Sequence, residues 1–148
     1  MKASRNDSNV VAGRGSSAVI ARGTNTVFMI AIKREYDPPG QSDGARVLVD
    51  RLWPRGLRKP DLRLSRWMQE VAPSDELRRF FGHDPARWRE FRKRYLTELE
   101  CAEMAQPVAE LIKLARRGKL VLVYGAKDQL HNHAVVLKEL LDKKLKSG

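Results

Sequence analysis

Cysteine and long apolar runs are the scarce features of this sequence. It has one cysteine, Cys101, among 148 residues, which excludes an intrachain disulfide framework and a site built from clustered thiolates. A single cysteine is compatible with the reducing cytoplasm, and we expect a cytoplasmic protein. The longest apolar run, near residue 30, is far shorter than the roughly 18 residues that a membrane helix needs. We therefore expect no membrane partner.

Recognised catalytic and cofactor motifs are also missing. The sequence contains no Walker loop, no dinucleotide-binding glycine fingerprint and no Gly-x-Ser-x-Gly elbow. His131 and His133 are two residues apart, a spacing that splays them on a helix, whereas the i, i+4 spacing pairs two histidines on one zinc ion. We therefore predict neither a cofactor nor a metal.

Basic residues are in clear excess over acidic ones. Twenty-nine Lys and Arg residues face eighteen Asp and Glu residues, which gives a formal net charge of +11. A basic surface attracts phosphate-bearing partners, nucleic acid included. Many small basic proteins nevertheless use their charge for solubility alone. The hydrophobic content of 42% is typical of a globular chain, and the length is that of one domain.

Residues 1–28 differ in composition from the rest of the chain. They are rich in Ser, Gly, Asn and Ala, contain one acidic residue and show no sustained period. We predict that they form a disordered tail or a mis-called N-terminal extension, because Met29 offers a second start. A transit peptide is less favoured, because no amphipathic helix is evident. Residues 29–148 are predicted to form a single domain.

Apolar runs alternate with helical patterns along that domain. Residues 27–33 and 46–50 read as strands, and residues 120–125 are apolar at nearly every position, as in a strand buried on both faces of a parallel sheet. Helical patterns intervene, and the last of them begins near residue 129. Strands separated by helices predict a compact three-layer α/β domain with a mostly parallel sheet of about four strands and helices on both faces.

The strand at 46–50 ends in charged residues. Asp50 and Arg51 follow it directly, and Trp53 and Arg55 lie in the next loop. Open α/β sheets bind ligands at the carboxyl ends of their strands, and guanidinium groups pair with carboxylate or phosphate oxygens. Arg51 and Arg55 are predicted to clamp an anion, with Asp50 orienting Arg51 and Trp53 supporting the site. The alternative is that Arg51 pairs with a local acid and that Trp53 and Pro54 only pin the loop.

The last apolar strand is followed by a second polar cluster. Lys127 would add a cation to the anion site, and Asp128 lies three residues before His131, so that its carboxylate can orient the imidazole for acid–base chemistry. Asn132 is predicted to support the site. The plain alternatives are that Asp128 caps the last helix and that His131 and Asn132 bond loop backbone. His133 is predicted to be a satisfied core histidine.

His83 stands in a helix–helix turn and is predicted to support the same site or to face solvent. It belongs to a set of segments whose order is specific: Ile-Ala-Ile-Lys-Arg-Glu-Tyr-Asp-Pro-Pro at 30–39, Val-Asp-Arg-Leu-Trp-Pro-Arg-Gly at 49–56, Ala-Pro-Ser at 72–74, His-Asp-Pro at 83–85, Ala-Lys-Asp at 126–128 and His-Asn-His at 131–133. Together they resemble the YeaO-like branch of the domain of unknown function 488 family, from Met29 to about Leu141.

The resemblance implies a compact α/β domain, a natural start at Met29 and no established function. Longer relatives carry Cys-Glu at the end of the last strand, where this chain has Tyr124 and Gly125, so any thiol chemistry of those relatives does not carry over. Some relatives bear a transcriptional-regulator label, but this sequence contains no helix-turn-helix pattern.

Three functions stay open at this point. The first is an enzyme, or former enzyme, that acts on a small anionic or phosphorylated compound, with Arg51, Arg55 and Lys127 binding the anion and an Asp128-oriented His131 transferring protons. The second is a nucleic-acid-binding protein that uses basic helix faces. The third is a module that senses an anion without turning it over.

Overall fold

A computed structural model describes residues 17–20 and 27–147 of the chain. The strands in these ranges are β1 (Ser17–Ile20), β2 (Val27–Arg34), β3 (Ala45–Leu48), β4 (Arg66–Trp67) and β5 (Leu120–Tyr124). The α-helices are α1 (Lys59–Leu62), α2 (Asp75–Phe81), α3 (Trp88–Leu99), α4 (Ala105–Arg117) and α5 (His133–Ser147). Short 3-10 turns lie at Gln69–Val71, Pro85–Arg87 and Ala102–Met104.

The strands form one sheet in the order β1-β2-β5-β3-β4. β5 runs parallel to both β2 and β3, and β4 runs parallel to β3. All five residues of β5 are buried, as its unbroken apolar run predicts for a central parallel strand. The predicted compact α/β domain with a mostly parallel sheet is thus confirmed.

The two faces of the sheet are covered differently. Side chains alternate between faces along a strand. Ile30, Val47 and Leu122 therefore join the large core under the longer helices, while Leu48 and Val123 belong to a smaller cluster on the opposite face. That second face is covered by Trp53, Leu64 and Trp67. The one-turn helix α1 also lies there, because its Leu62 carbonyl accepts a hydrogen bond from Arg46 Nε at 2.7 Å.

Helix α2 begins and ends as the sequence predicts. The Ser74 side chain accepts a hydrogen bond from the backbone N–H of Leu77 at 3.2 Å, which is the standard cap of a helix start. Gly82 ends the helix in the left-handed conformation, with φ of 53°. These two signals fix the length of α2 and place it beside α3.

The start of α5 corrects a prediction. The helix begins at His133 rather than near residue 129, and its cap is Asn132, whose Oδ1 accepts from Val135 N–H at 3.1 Å. Asp128 instead holds a turn, because its Oδ1 accepts from the N–H groups of Leu130 and His131 at 2.9 and 3.0 Å. A short carboxylate that bonds nearby backbone competes with helix formation in this way.

Strand β1 is not predicted by the sequence pattern. It lies within the range predicted as a disordered tail or extension, and it pairs antiparallel with β2, with Ser17 opposite Ile30. The other residues of that tail before position 27 lie outside the described part of the chain. The division of the chain at residue 29 stays a prediction. Within the described ranges, no helix has the length and apolar content needed to cross a bilayer.

Candidate functional site

Three neighbouring strands end side by side at one edge of the sheet. Arg34 pairs with Tyr124 and Leu48 pairs with Val123. The pairing continues past the strand ends, where the N–H of Glu35 donates to the carbonyl of Tyr124 at 2.6 Å. Glu35 therefore follows β2, Gly125 follows β5 and Asp50 follows β3 at the carboxyl edge, where open α/β sheets place their ligand sites.

A cleft of about 440 Å³ opens at this edge. Backbone and side chains from several elements line it, and its walls are largely aromatic or apolar. The lining residues are Glu35, Tyr36, Asp50, Arg51, Leu52, Trp53, Pro54, Arg55, Ala72, Pro73, Arg78, Arg79, Phe81, His83, Phe91, Gly125, Ala126, Asn132 and His133. The volume and the lining are those of a small-molecule site.

Two carboxylates, of Glu35 and Asp50, form the acidic floor of the cleft. A Cβ added to Gly125 would stand 2.7 Å from Glu35 Oε1 and 2.8 Å from Asp50 Oδ2. The two side chains thus converge on the space that glycine leaves free. Burial, and next the charge of Asp50, raise the pKa of Glu35 to about 7, against a smaller opposing effect of Arg34.

His133 contacts the acidic floor from the first turn of α5. Its Nε2 lies 3.0 Å from the carbonyl oxygen of Val49 and 3.1 Å from Asp50 Oδ1. Both neighbours are acceptors, which favours the tautomer with a proton on Nε2. Asp50 Oδ1 is buried and receives no hydrogen bond from the described residues. The floor therefore holds an acceptor whose capacity is unused.

Four guanidinium groups form the arginine rim: Arg51, Arg55, Arg78 and Arg79. Arg51 donates from Nη2 to the carbonyl of Pro73 at 3.1 Å, and its Nε lies 3.5 Å from Asp75 Oδ1. Arg78 makes a closer ion pair with Asp75, at 2.7 Å. Within the described ranges, the side chains of Arg55 and Arg79 make no ion pair or hydrogen bond. They are free to receive an anion.

The loop that carries Arg55 is held in place by two aromatic residues. Tyr36 donates its hydroxyl to the carbonyl of Arg55 at 2.9 Å, and Trp53 donates Nε1 to the carbonyl of Leu57 at 2.7 Å. The Trp53 ring also packs edge-on against Trp67, with centroids 5.3 Å apart. Trp53 thus has the pinning contacts that the alternative predicted.

The predicted role of Asp50 as a partner of Arg51 is not what the contacts show. The Asp50 carboxylate lies beside His133, while Arg51 binds the Pro73 carbonyl and approaches Asp75. Consecutive residues after a strand point to opposite sides, so Asp50 and Arg51 diverge. The acid near Arg51 comes from α2, as the alternative of a local acid expected.

The predicted acid–base pair forms but stands apart from the cleft. His131 Nδ1 lies 2.9 Å from Asp128 Oδ2, and its ring packs edge-on against Trp88 with centroids 5.3 Å apart. Backbone N–H bonds from Leu130, and next the bond to His131, hold the pKa of Asp128 below its usual range. Neither residue lines the cleft, nor does the exposed Lys127.

His83 and Asn132 do line the cleft, as predicted. His83 is exposed and adopts a left-handed backbone conformation with φ of 56°. Asn132 is buried; its Oδ1 caps α5 and its Nδ2 donates to the carbonyl of Asp128 at 2.8 Å. These two bonds fix the Asn132 amide in the cleft wall.

Sequence reasoning missed four site residues: Glu35, Arg78, Arg79 and His133. Glu35 follows the first strand and would have emerged from the strand-end rule that identified Asp50. His133 was expected in the core; it is half-buried but lines the cleft. The two arginines reach the cleft from α2, and no local signal in the sequence gives that packing. In the described residues, no three His, Cys, Asp or Glu side chains converge as a metal site.

Comparisons with known proteins match most of this chain. Residues 29–148 match the model of the DUF488-N3i family, described as the inactive DUF488-N3 subclade. "Uncharacterized protein YeaO" of Escherichia coli (strain K12) is 47% identical over 112 residues, which cover 76% of this chain and 96% of that protein. "Uncharacterized protein Rv3073c" of Mycobacterium tuberculosis (strain ATCC 25618 / H37Rv) is 42% identical over 113 residues, covering 76% and 93%. No solved structure gives a significant match.

Proposed function

This chain belongs to the DUF488-N3i family, the inactive DUF488-N3 subclade, as its resemblance to YeaO-like proteins indicated, and from that premise we propose that it binds a small anionic molecule in the cleft without turning it over. The ligand would be a phosphate or carboxylate compound of metabolite size. Its anionic group would lie against the arginine rim.

The arginine rim is the observation that carries this proposal. Four arginines from two separate chain segments line one cleft. Within the described ranges the side chains of Arg55 and Arg79 make no ion pair or hydrogen bond, although the charge of Arg79 contributes to the lowered pKa of Asp75. Several cations around one cleft favour an anionic ligand there. The planar fork of arginine also fits phosphate and carboxylate oxygens with two hydrogen bonds at once.

The lack of a Ser, Thr, Cys or Lys nucleophile among the described residues that line the cleft favours binding over covalent catalysis by those groups. The residue directly after β5 is Gly125, which has no side chain that could act as a nucleophile. The family description "inactive" points in the same direction.

A specific observation keeps proton transfer as a second candidate. The pKa of Glu35 is raised to about 7, and a carboxyl group that titrates near neutral pH suits a general acid or base. Under this alternative, Glu35 would exchange a proton with a ligand held by the arginine rim. Turnover of a ligand, lost in Glu35→Gln with binding retained, would favour this candidate.

A nucleic-acid surface has less support from the contacts. The basic face of α3 is partly neutralised, because Arg92 Nε lies 2.8 Å from Glu139 and Arg94 Nε lies 2.7 Å from Glu90. Arg94 also stacks over the ring of Phe80 at 4.4 Å. Arginines already held by acids release fewer phosphate counterions on binding.

The direct test is a calorimetric titration of the full chain with simple anions. Inorganic phosphate, methyl phosphate and acetate would be titrated into the wild-type protein and into Arg55→Ala. Arg55 is exposed and its side chain has no partner among the described residues, so its removal should leave the fold intact. We expect a loss of about tenfold or more in affinity, since a charge-assisted hydrogen bond contributes roughly 1.5–3 kcal/mol.

Arg89→Ala is the matched control. Arg89 is an exposed arginine of α3 that makes no ion pair among the described residues and does not line the cleft. It removes the same charge from elsewhere on the surface. Equal losses in both variants, or no binding of any of the three anions, would reject the arginine rim as an anion site.

A further inference from the structure

The cleft presents charges of both signs, and we propose that its ligand does too: an anionic group for the arginine rim, and a cationic or hydrogen-bond-donating nitrogen for the acidic floor. The inference rests on the proposed function and names the class of molecule that the same cleft selects. Simple phosphate would fill only part of such a site.

Glu35 is the main reason to expect a donor on the ligand. Glu35 is only 9% exposed, and it lines the cleft. Its carboxylate nevertheless accepts no hydrogen bond from any described residue. A carboxylate that loses most of its contact with water is stabilised by a donor or a cation. The charge of the neighbouring Arg34 offsets burial only in part, because the Glu35 pKa stays raised, and among the described residues Arg34 donates instead from Nε to the carbonyl of Ala126 at 3.1 Å.

Asp50 adds a second acceptor at the same point. Its Oδ1 is buried without a hydrogen bond among the described residues, and its Oδ2 lies 2.8 Å from the position that a Cβ on Gly125 would occupy. Glu35 Oε1 lies 2.7 Å from the same position. One nitrogen that bears several hydrogens, placed between the two carboxylates, would bond both. An ammonium, amidine or amino-heterocycle has that geometry.

The rest of the cleft suits the carbon skeleton between the two charged ends. Phe81, Phe91 and Ala72 line it with apolar surface, and Tyr36 and Trp53 add aromatic edges. A ligand of only one sign would leave either the floor or the rim uncompensated. A buried charge that is left unpaired carries a large free-energy cost. Ligands with charge of only one sign should therefore bind more weakly.

A series of matched phosphates tests the inference. Alkyl phosphates from ethyl to hexyl, and the ω-aminoalkyl phosphates of equal length, would be titrated calorimetrically into the full chain at pH 8. The two series share the phosphate and differ in the terminal amine. We expect at least one aminoalkyl phosphate to bind about tenfold more tightly than its alkyl partner, the value of one charge-assisted bond.

Substitutions in the acidic floor distinguish a direct contact with the ligand amine from general electrostatic attraction of a cation to the protein. Glu35→Gln should reduce the preference for the amine to about threefold or less, and Asp50→Asn should do the same. Glu100→Gln, which removes an exposed surface carboxylate outside the cleft, should leave the preference unchanged. Circular dichroism would establish that each variant is folded. If one of the two floor variants does not fold, the other is sufficient for the test.

The outcomes distinguish the two proposals. Binding of both series, weakened by Arg55→Ala but with no preference for the amine, overturns this inference and leaves the anion site standing. A preference that survives both floor substitutions also overturns it. Binding of neither series rejects the proposed function and the inference with it.

Discussion

Replacing Glu35 with glutamine should make the protein more stable at neutral and alkaline pH. The pKa of Glu35 is raised from 4.5 to about 7 in the folded chain, mainly by burial and next by the charge of Asp50. The folded state therefore holds a proton that the unfolded state has released between these two pH values. Stability is fully present below the lower value and is lost as the pH rises through the higher one.

The size of the effect follows from the same shift. If the whole pKa shift acted on stability, ionisation of Glu35 would lower the unfolding free energy by roughly 3 kcal/mol above pH 7. Glu35 faces the cleft, where solvent screens part of its charge, so a loss of about 1–2 kcal/mol is the more realistic figure. Glutamine keeps the shape of the protonated acid and does not titrate, so Glu35→Gln should avoid the loss.

Urea denaturation at pH 4.5, 6, 7 and 8 measures this directly. Wild type and Glu35→Gln should have similar unfolding free energies at the lowest pH and should separate as the pH rises, with the variant more stable. Asp50, Arg34 and His133 are the charged or titratable neighbours of the floor, and all are present in both proteins. Glu100→Gln controls for the loss of one surface carboxylate. Parallel pH profiles for wild type and Glu35→Gln would refute the reasoning.

Three further substitutions test the framework that holds the cleft, each by urea denaturation. Gly44→Ala should lower the unfolding free energy by about 3 kcal/mol or more, because Gly44 has φ of +72° and a Cβ there would stand 2.3 Å from the carbonyl oxygen of Lys119. Gly118→Ala is the control: a Cβ at position 118 meets nothing within 4 Å, so this substitution should lower the unfolding free energy far less. Ser74→Ala should lower the unfolding free energy by about 1 kcal/mol or more, because the α2 cap and the 2.6 Å hydrogen bond that the Ser74 hydroxyl donates to Glu98 are both lost. Ser74→Thr, which keeps the hydroxyl, should retain most of that stability. Asn132→Ala should lower the unfolding free energy by about 1–2 kcal/mol, because Asn132 caps α5; no change would contradict the observed helix start.

Local sequence signals were sufficient to predict the central strands of the sheet. Unbroken apolar runs identified these strands, and the rule that ligands bind at the carboxyl ends of parallel strands directed attention to Asp50, Arg51 and Arg55. These three residues line the cleft, and their role in binding stays a prediction. The central strands could be predicted because strand burial and chain order are local properties, whereas β1 was missed because its segment shows no sustained period.

The choice between two histidines failed because one helix boundary was misplaced. With a helix start near residue 129, His131 would share a face with Asp128 and point toward the site, and His133 would point to the core. The Asp128 carboxylate binds two backbone N–H groups instead, which delays the helix to His133. A shift of four residues in a helix start thus exchanged the roles of the two imidazoles.

Gly125 shows why the acidic floor could not be read from any single segment. Its backbone follows the most apolar strand of the chain, where sequence reasoning sees a featureless glycine. Its importance comes from Glu35 on one side and Asp50 on the other, which are distant in sequence and meet only because β5 lies between β2 and β3. A larger side chain at position 125 would occupy the space into which both carboxylates converge. Glycine there and the two acids beside it therefore form one unit.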